Sequence, residues 1–146
     1  HMEGKVERRE CQRFEIPGAT VQYKSLWFPI SFNGFSQPCP VLNVSKGGLA
    51  FECRSKMERG KKLALRLIVP AEDPLELRAT VRWCAFSWER TTYVAGVEFA
   101  PFGARRGLNP LETLNRLRQL ELEYGEKDSP PTPIRRPFDP LRDHLW

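Results

Sequence analysis

Apolar and polar residues alternate with a period of two through much of the chain. Leu63, Leu65, Leu67 and Val69 share one face of their run, with Lys62 and Arg66 on the other. Leu75, Leu77, Ala79, Val81 and Trp83 do the same, opposite Glu76, Arg78, Thr80 and Arg82. A period of two with one wet face marks a half-buried antiparallel strand. This reading assigns strands to Ala19–Lys24, Leu26–Phe32, Cys39–Val44, Gly48–Cys53, Lys61–Val69, Leu75–Ser87 and Thr92–Ala100. Asn33-Gly34 predicts a tight hairpin turn, and the acids and prolines from Pro70 to Pro74 predict a surface loop. The runs are too short and closely spaced for crossover helices, which excludes a parallel α/β sheet and leaves a small sandwich or barrel.

The period changes after Gly107. Asn109 is placed to cap a helix, with Pro110 at its first position and Glu112 three residues on. Leu111, Leu114, Leu117 and Leu120 or Leu122 then recur at helical spacing as far as Gly125. Extending the heptads brings Arg118 or Glu121 into the seam, so the stripe fits packing on a core better than a coiled coil. From Glu126 onward the chain is rich in proline and reads as an extended tail ending in apolar and aromatic residues. Such a segment either docks on a partner or folds back on its own domain. At the other end, His1-Met2 reads as the remnant of an expression tag, and Glu3 to Arg13 as a polar arm halted by Pro17-Gly18.

Composition narrows the function classes. The 146 residues suit one domain with tails. No apolar run approaches the ~20 residues needed to span a bilayer. The net charge of +5 favours an anionic partner without choosing among nucleic acid, acidic lipid and a phosphorylated small molecule. Cys11, Cys39, Cys53 and Cys84 form no close pair, and the single histidine beyond His1 is His144 in the tail, so no metal site is expected. All four cysteines read as reduced thiols, Cys53 and Cys84 as small core residues of strands. No nucleophile stands in a base-and-orienter pattern, which argues against an enzyme.

Two short motifs carry the candidate chemistry. Arg8, Arg9 and Arg13 fall within six residues, and guanidinium forks match both phosphate oxygens and the O6 and N7 edge of guanine. Taken alone, the run fits a solvated basic arm far better than a ligand clamp. Asn43-Val44-Ser45-Lys46-Gly47-Gly48 lies between two apolar strands, with short polar side chains and glycines that permit positive φ or close approach of a flat ligand. Taken alone, it is equally an ordinary hairpin turn.

In this order, on a short-stranded β fold, the two motifs resemble those of the PilZ domain family. Arg9–Arg13 matches its R-x-x-x-R and Asn43–Gly48 its [D/N]-x-S-x-x-G, with Asn43 where aspartate is commoner. Ala79-Thr80-Val81-Arg82-Trp83 resembles the family's long penultimate strand, and Gly96-Val97-Glu98-Phe99 its last. The resemblance runs from Glu7 to Tyr124. It implies a mainly β fold, a six-stranded antiparallel barrel with a C-terminal α-helix. The chain then divides into an arm and switch at 3–18, barrel at 19–107, helix at 108–125 and proline-rich tail at 126–146.

It also implies a cytoplasmic bacterial receptor for cyclic di-GMP with no further cofactor, no catalysis, and a regulated protein partner. By motif position Arg9 and Arg13 would hold phosphate and guanine, Asn43 and Ser45 would read a guanine edge, and Gly48 would keep the turn open. Arg8, just before R-x-x-x-R, tends toward binding a stacked ligand pair. The expected mechanism is an arm that the ligand orders over the barrel. Two rivals remain. One is a PilZ-like adapter that has lost the nucleotide. The other, less favoured, is a nucleic-acid-binding barrel using Trp27, Phe28, Trp83 and Trp88; against it, alternation places Trp83 on the apolar face.

Overall fold

The computed structural model describes residues 12–26 and 34–125. Six strands close into a barrel: β1 Thr20–Ser25, β2 Cys39–Val44, β3 Gly48–Cys53, β4 Lys62–Ile68, β5 Leu75–Ser87 and β6 Thr92–Phe99. Around the barrel they run β1-β2-β3-β6-β5-β4, every pairing antiparallel. Closure leaves no long edge open to a foreign strand. Helix α1, Leu111–Tyr124, follows the last strand. The run expected at Leu26–Phe32 and Asn33 of the expected hairpin fall almost wholly outside the described residues, as do Arg8, Arg9, Cys11 and the tail.

The alternating runs become the barrel wall because each can bury one face. Leu63, Leu65, Leu67 and Val69 are buried, as are Leu75, Leu77, Ala79 and Val81. Phe51, Leu49, Val44 and Val21 fill the same interior, with no side chain more than 2% exposed. Outside, cross-strand pairs such as Arg66–Glu76 at 3.0 Å and Arg82–Glu98 at 3.1 Å stand in solvent. Each such pair contributes about 0–1 kcal/mol.

The alternation of β5 fails at one point. A register shift separates Val81, opposite Val97, from Trp83, opposite Gly96. An extra residue in one strand breaks the alternation beyond it. Trp83 is therefore half-buried, not in the core, and its ring lies across Gly96, where a Cβ would meet it at 2.3 Å. The expectation that Trp83 continues the apolar stripe is corrected by this bulge.

The helix also begins differently. Pro110 occupies the cap position with no side-chain hydrogen bond, and Asn109 does not cap. The Asn109 side chain is instead buried against the barrel. Its Oδ1 accepts from Arg78 N at 2.7 Å, and its Nδ2 donates to Arg78 O at 3.1 Å and Ala100 O at 2.9 Å. Leu117 and Leu120 are buried, whereas Leu111 and Leu122 are exposed. Arg116 ties the helix to the 70–74 loop by donating to the carbonyls of Asp73 and Pro74.

Candidate functional site

The Asn43–Gly48 motif is the turn joining β2 to β3. Ser45 N donates to Gly48 O at 2.8 Å, and Ser45 Oγ accepts from Gly47 N at 3.0 Å and Gly48 N at 3.1 Å. A serine side chain that takes the amides two and three residues on is a local turn former. Ser45 is fully buried in that role. Gly47 O then accepts Phe99 N at 2.8 Å, tying the turn to the end of β6.

Gly48 serves the packing of the barrel. Positive φ occurs at Gly18, Gly34, Gly60 and Gly107 but not in this turn. A Cβ on Gly48 would lie 2.1 Å from the carbonyl oxygen of Val97. The glycine is needed for the approach of β3 to β6.

The end of the arginine arm reaches the same turn. Phe14 forms an isolated antiparallel bridge with Val44, exchanging two backbone hydrogen bonds of 2.8 Å. Antiparallel register then sets Arg13 opposite Ser45 and Glu15 opposite Asn43. Phe14 and Ile16 are buried while Arg13 is half-buried. The chain next turns at Pro17-Gly18, with Gly18 at φ 79° and Ala19 N donating to Ile16 O at 3.1 Å, the geometry of a type II turn. Sequence reading took this stretch as the polar arm's end. The period-two pair Phe14 and Ile16 was the available signal that it is pinned to the barrel.

The structure thus brings together Arg13, Asn43, Ser45 and Gly48; Arg8 and Arg9 lie outside the described residues. Asn43 follows a register shift in β2, and its Oδ1 is buried with no hydrogen-bond partner among the described residues. An unpaired buried acceptor costs about 1–3 kcal/mol, which a suitable donor would offset. Ser45 and Gly48 are occupied by the fold, whereas Asn43 holds unmet capacity.

Ser45→Ala should strip the acceptor from two turn amides. The expected loss is about 1–2 kcal/mol of unfolding free energy by urea titration. An unchanged midpoint would mean that water replaces the hydroxyl without cost.

Other polar features lie at the far end of β3. Cys39, Cys53 and Cys84 are free thiols, and burial pushes the Cys39 thiol and the Tyr23 phenol up from their ordinary values. A groove of about 750 Å³ is lined by Lys56, Met57, Glu58, Arg59, Arg82, Trp83 and Cys84. Sequence reading did not find it, because its walls come from a loop and a strand distant along the chain.

The chain matches the PilZ domain model over residues 7–114. No curated protein sequence matches it significantly. Among solved structures it is similar to the inhibitor of motility MotI/DgrA of Bacillus subtilis, with TM-score 0.61 and 18% identity over 80% of this chain and 50% of that one. It is also similar to the MrkH–c-di-GMP complex of K. pneumonia, with TM-score 0.58 and 15% identity over 80% of this chain and 52% of that one. The chain spans about half the length of either protein.

Proposed function

The chain belongs to the PilZ domain family, and on that premise we propose that it is a receptor for cyclic di-GMP that binds the nucleotide without transforming it. The observation that carries the proposal is the Phe14–Val44 bridge, which holds the inner end of the arginine arm beside the Asn43–Gly48 turn. The nucleotide brings two phosphates and two guanines. Arg9 and Arg13 meet phosphate oxygens and a guanine O6 and N7 edge through their planar forks. A guanine N–H supplies the donor that Asn43 Oδ1 lacks. Ser45 and Gly48 shape the turn that presents Asn43, and Arg8 adds a further cation that suits a stacked pair. The complex formed by MrkH supports this reading, since its fold is shared.

Binding closes the arm over the barrel, and the new surface meets a protein partner in bacterial signalling. Here the bridge acts as the hinge point: residues up to Arg13 respond to the ligand, and Phe14 onward stays with the barrel.

Calorimetric titration of cyclic di-GMP, with GTP as control, tests the proposal. Charge-assisted hydrogen bonds contribute about 1.5–3 kcal/mol, so Arg9→Ala and Arg13→Ala should each weaken binding about tenfold or more. Equal affinity in both variants and the parent would remove the arm from the mechanism. Absence of any heat would favour the adapter reading. One observation supports that alternative: Ser45 and Gly48 have structural duties that would maintain them without a ligand.

A further inference from the structure

Cys53 closes β3, and Cys84 lies in β5 beyond the bulge. The Cys53 thiol is buried and neighbours Cys84, whose Sγ accepts the Met57 backbone N–H at 3.4 Å. Cys84 is half-buried and opens on the groove whose charged walls are Lys56, Arg59, Arg82 and Glu58. Arg82 is shared with Glu98 at 3.1 Å, so Lys56 and Arg59 supply most of the positive field. Tyr23 also faces the pair, as a neutral phenol. An amide donor on the sulfur and cations beside an accessible cleft favour the thiolate over the thiol.

We propose that Cys84 is a nucleophilic thiolate whose cationic groove selects small anionic disulfides, making it a site of reversible S-thiolation. The Cys84 sulfur attacks one sulfur of the incoming disulfide. A new S–S bond forms, the old one breaks, and the departing thiolate takes the electron pair. Cys84 is oxidised and half of the reagent reduced, while the buried Cys53 keeps its proton. A second thiolate restores Cys84 by the reverse exchange. This site stands apart from the turn: Cys53 is five residues beyond Gly48, about 17 Å along the strand.

The first contribution to the thiolate is the hydrogen bond from Cys53. Burial opposes it, and the Met57 amide and Lys56 charge add to it, leaving Cys84 pushed down to about 6. The test is the rate of reaction of the whole chain with dithiobis-nitrobenzoate, which carries carboxylates, and with a neutral dipyridyl disulfide, the labelled cysteine being located by peptide mass. Thiolate fraction rises as the pKa falls while intrinsic nucleophilicity declines. At about pH 6.5 these trade to a rate about fivefold above that of the urea-unfolded chain. The fast phase should map to Cys84, rise to half its maximum near pH 6, and vanish in Cys84→Ser. Cys53→Ala should move the midpoint upward. Lys56→Ala with Arg59→Ala should erase the preference for the anionic reagent and spare the neutral one. Labelling of Cys11 or Cys39 in place of Cys84, a midpoint above about pH 8, near that of an ordinary thiol, or an anionic preference unchanged by the double variant would overturn the proposal.

Discussion

Asn109→Ala is expected to lower the unfolding free energy by about 3 kcal/mol. The side chain makes three hydrogen bonds, one accepted from Arg78 N and two donated to Arg78 O and Ala100 O. Its own backbone adds two more, with Asn109 N donating to Pro101 O at 2.9 Å and Gly103 N donating to Asn109 O at 2.9 Å. Asn109 therefore acts as a short surrogate strand, closing the 101–109 loop onto β5 and setting where α1 begins. Alanine keeps the backbone bonds and strips Arg78 N and Ala100 O of this partner, while Arg78 O still accepts Ala100 N at 2.8 Å. Each buried group left unpaired costs about 1–3 kcal/mol, and the site lies near enough to solvent for water to recover part of that. The melting temperature should fall by roughly 10 °C. Asn109→Asp should fare no better, because it keeps an acceptor for Arg78 N but turns a carboxylate oxygen toward two carbonyls. A midpoint within experimental error of the parent in urea would show that α1 docks through Leu117 and Leu120 without this clamp.

The same residue shows where sequence reading stops. Asn before Pro-Leu-Glu has the composition of a helix start, and local rules assign it to the cap. Its actual partners, Arg78 and Ala100, lie 31 and 9 residues away and leave no local trace. By contrast β2, β3 and β5 have the bounds read from the sequence, β4 is shorter by one residue at each end, β6 by one at its C-terminal end, and β1 is shifted by one residue. Those strands are legible because burial of one face writes a period into the residues themselves. The bulge at Trp83 is not, since counting by twos presumes an unbroken ladder. The contact of Cys53 with Cys84 joins strands separated in the barrel by β6, so nothing in either local run announces it.

The turn was legible by residue type, but not every duty of its residues within the fold was. Asn, Ser and Gly were visible as a turn able to face a ligand. Ser45 spends its hydroxyl locally on Gly47 and Gly48, but that Gly48 abuts Val97 depends on β6, some fifty residues on. Loss of binding in a Ser45 or Gly48 variant would therefore not separate ligand contact from a collapsed turn. Asn43 makes the cleaner test, because its Oδ1 has no hydrogen-bond partner among the described residues.

Gly48→Ala is expected to be the most damaging single-methyl addition in the barrel, at about 3 kcal/mol. The new Cβ would stand 2.1 Å from Val97 O, 3.2 Å from Val97 C and 3.3 Å from Glu98 Cα. All three are backbone atoms, so no rotamer change relieves the contact. β3 must move away from β6, and the Phe99 N to Gly47 O bond of 2.8 Å moves with it. At Gly96 the corresponding clash is with the Trp83 ring, which can swing on its own bonds, so Gly96→Ala should cost less. At Gly60 no atom lies within 4 Å, and only the positive φ of 90° resists a side chain, for about 1 kcal/mol. The order Gly48, Gly96, Gly60 in urea midpoints distinguishes these three origins of cost. If Gly48→Ala instead matched Gly60→Ala, the β3–β6 contact would be soft. The glycine in the motif would then have to be explained by the ligand, which reverses the structural role assigned to it here. Binding measured on the same variant under strongly folding conditions completes the argument. A turn displaced with β3 carries Asn43 and Ser45 with it, so affinity for cyclic di-GMP should fall even where the chain remains folded.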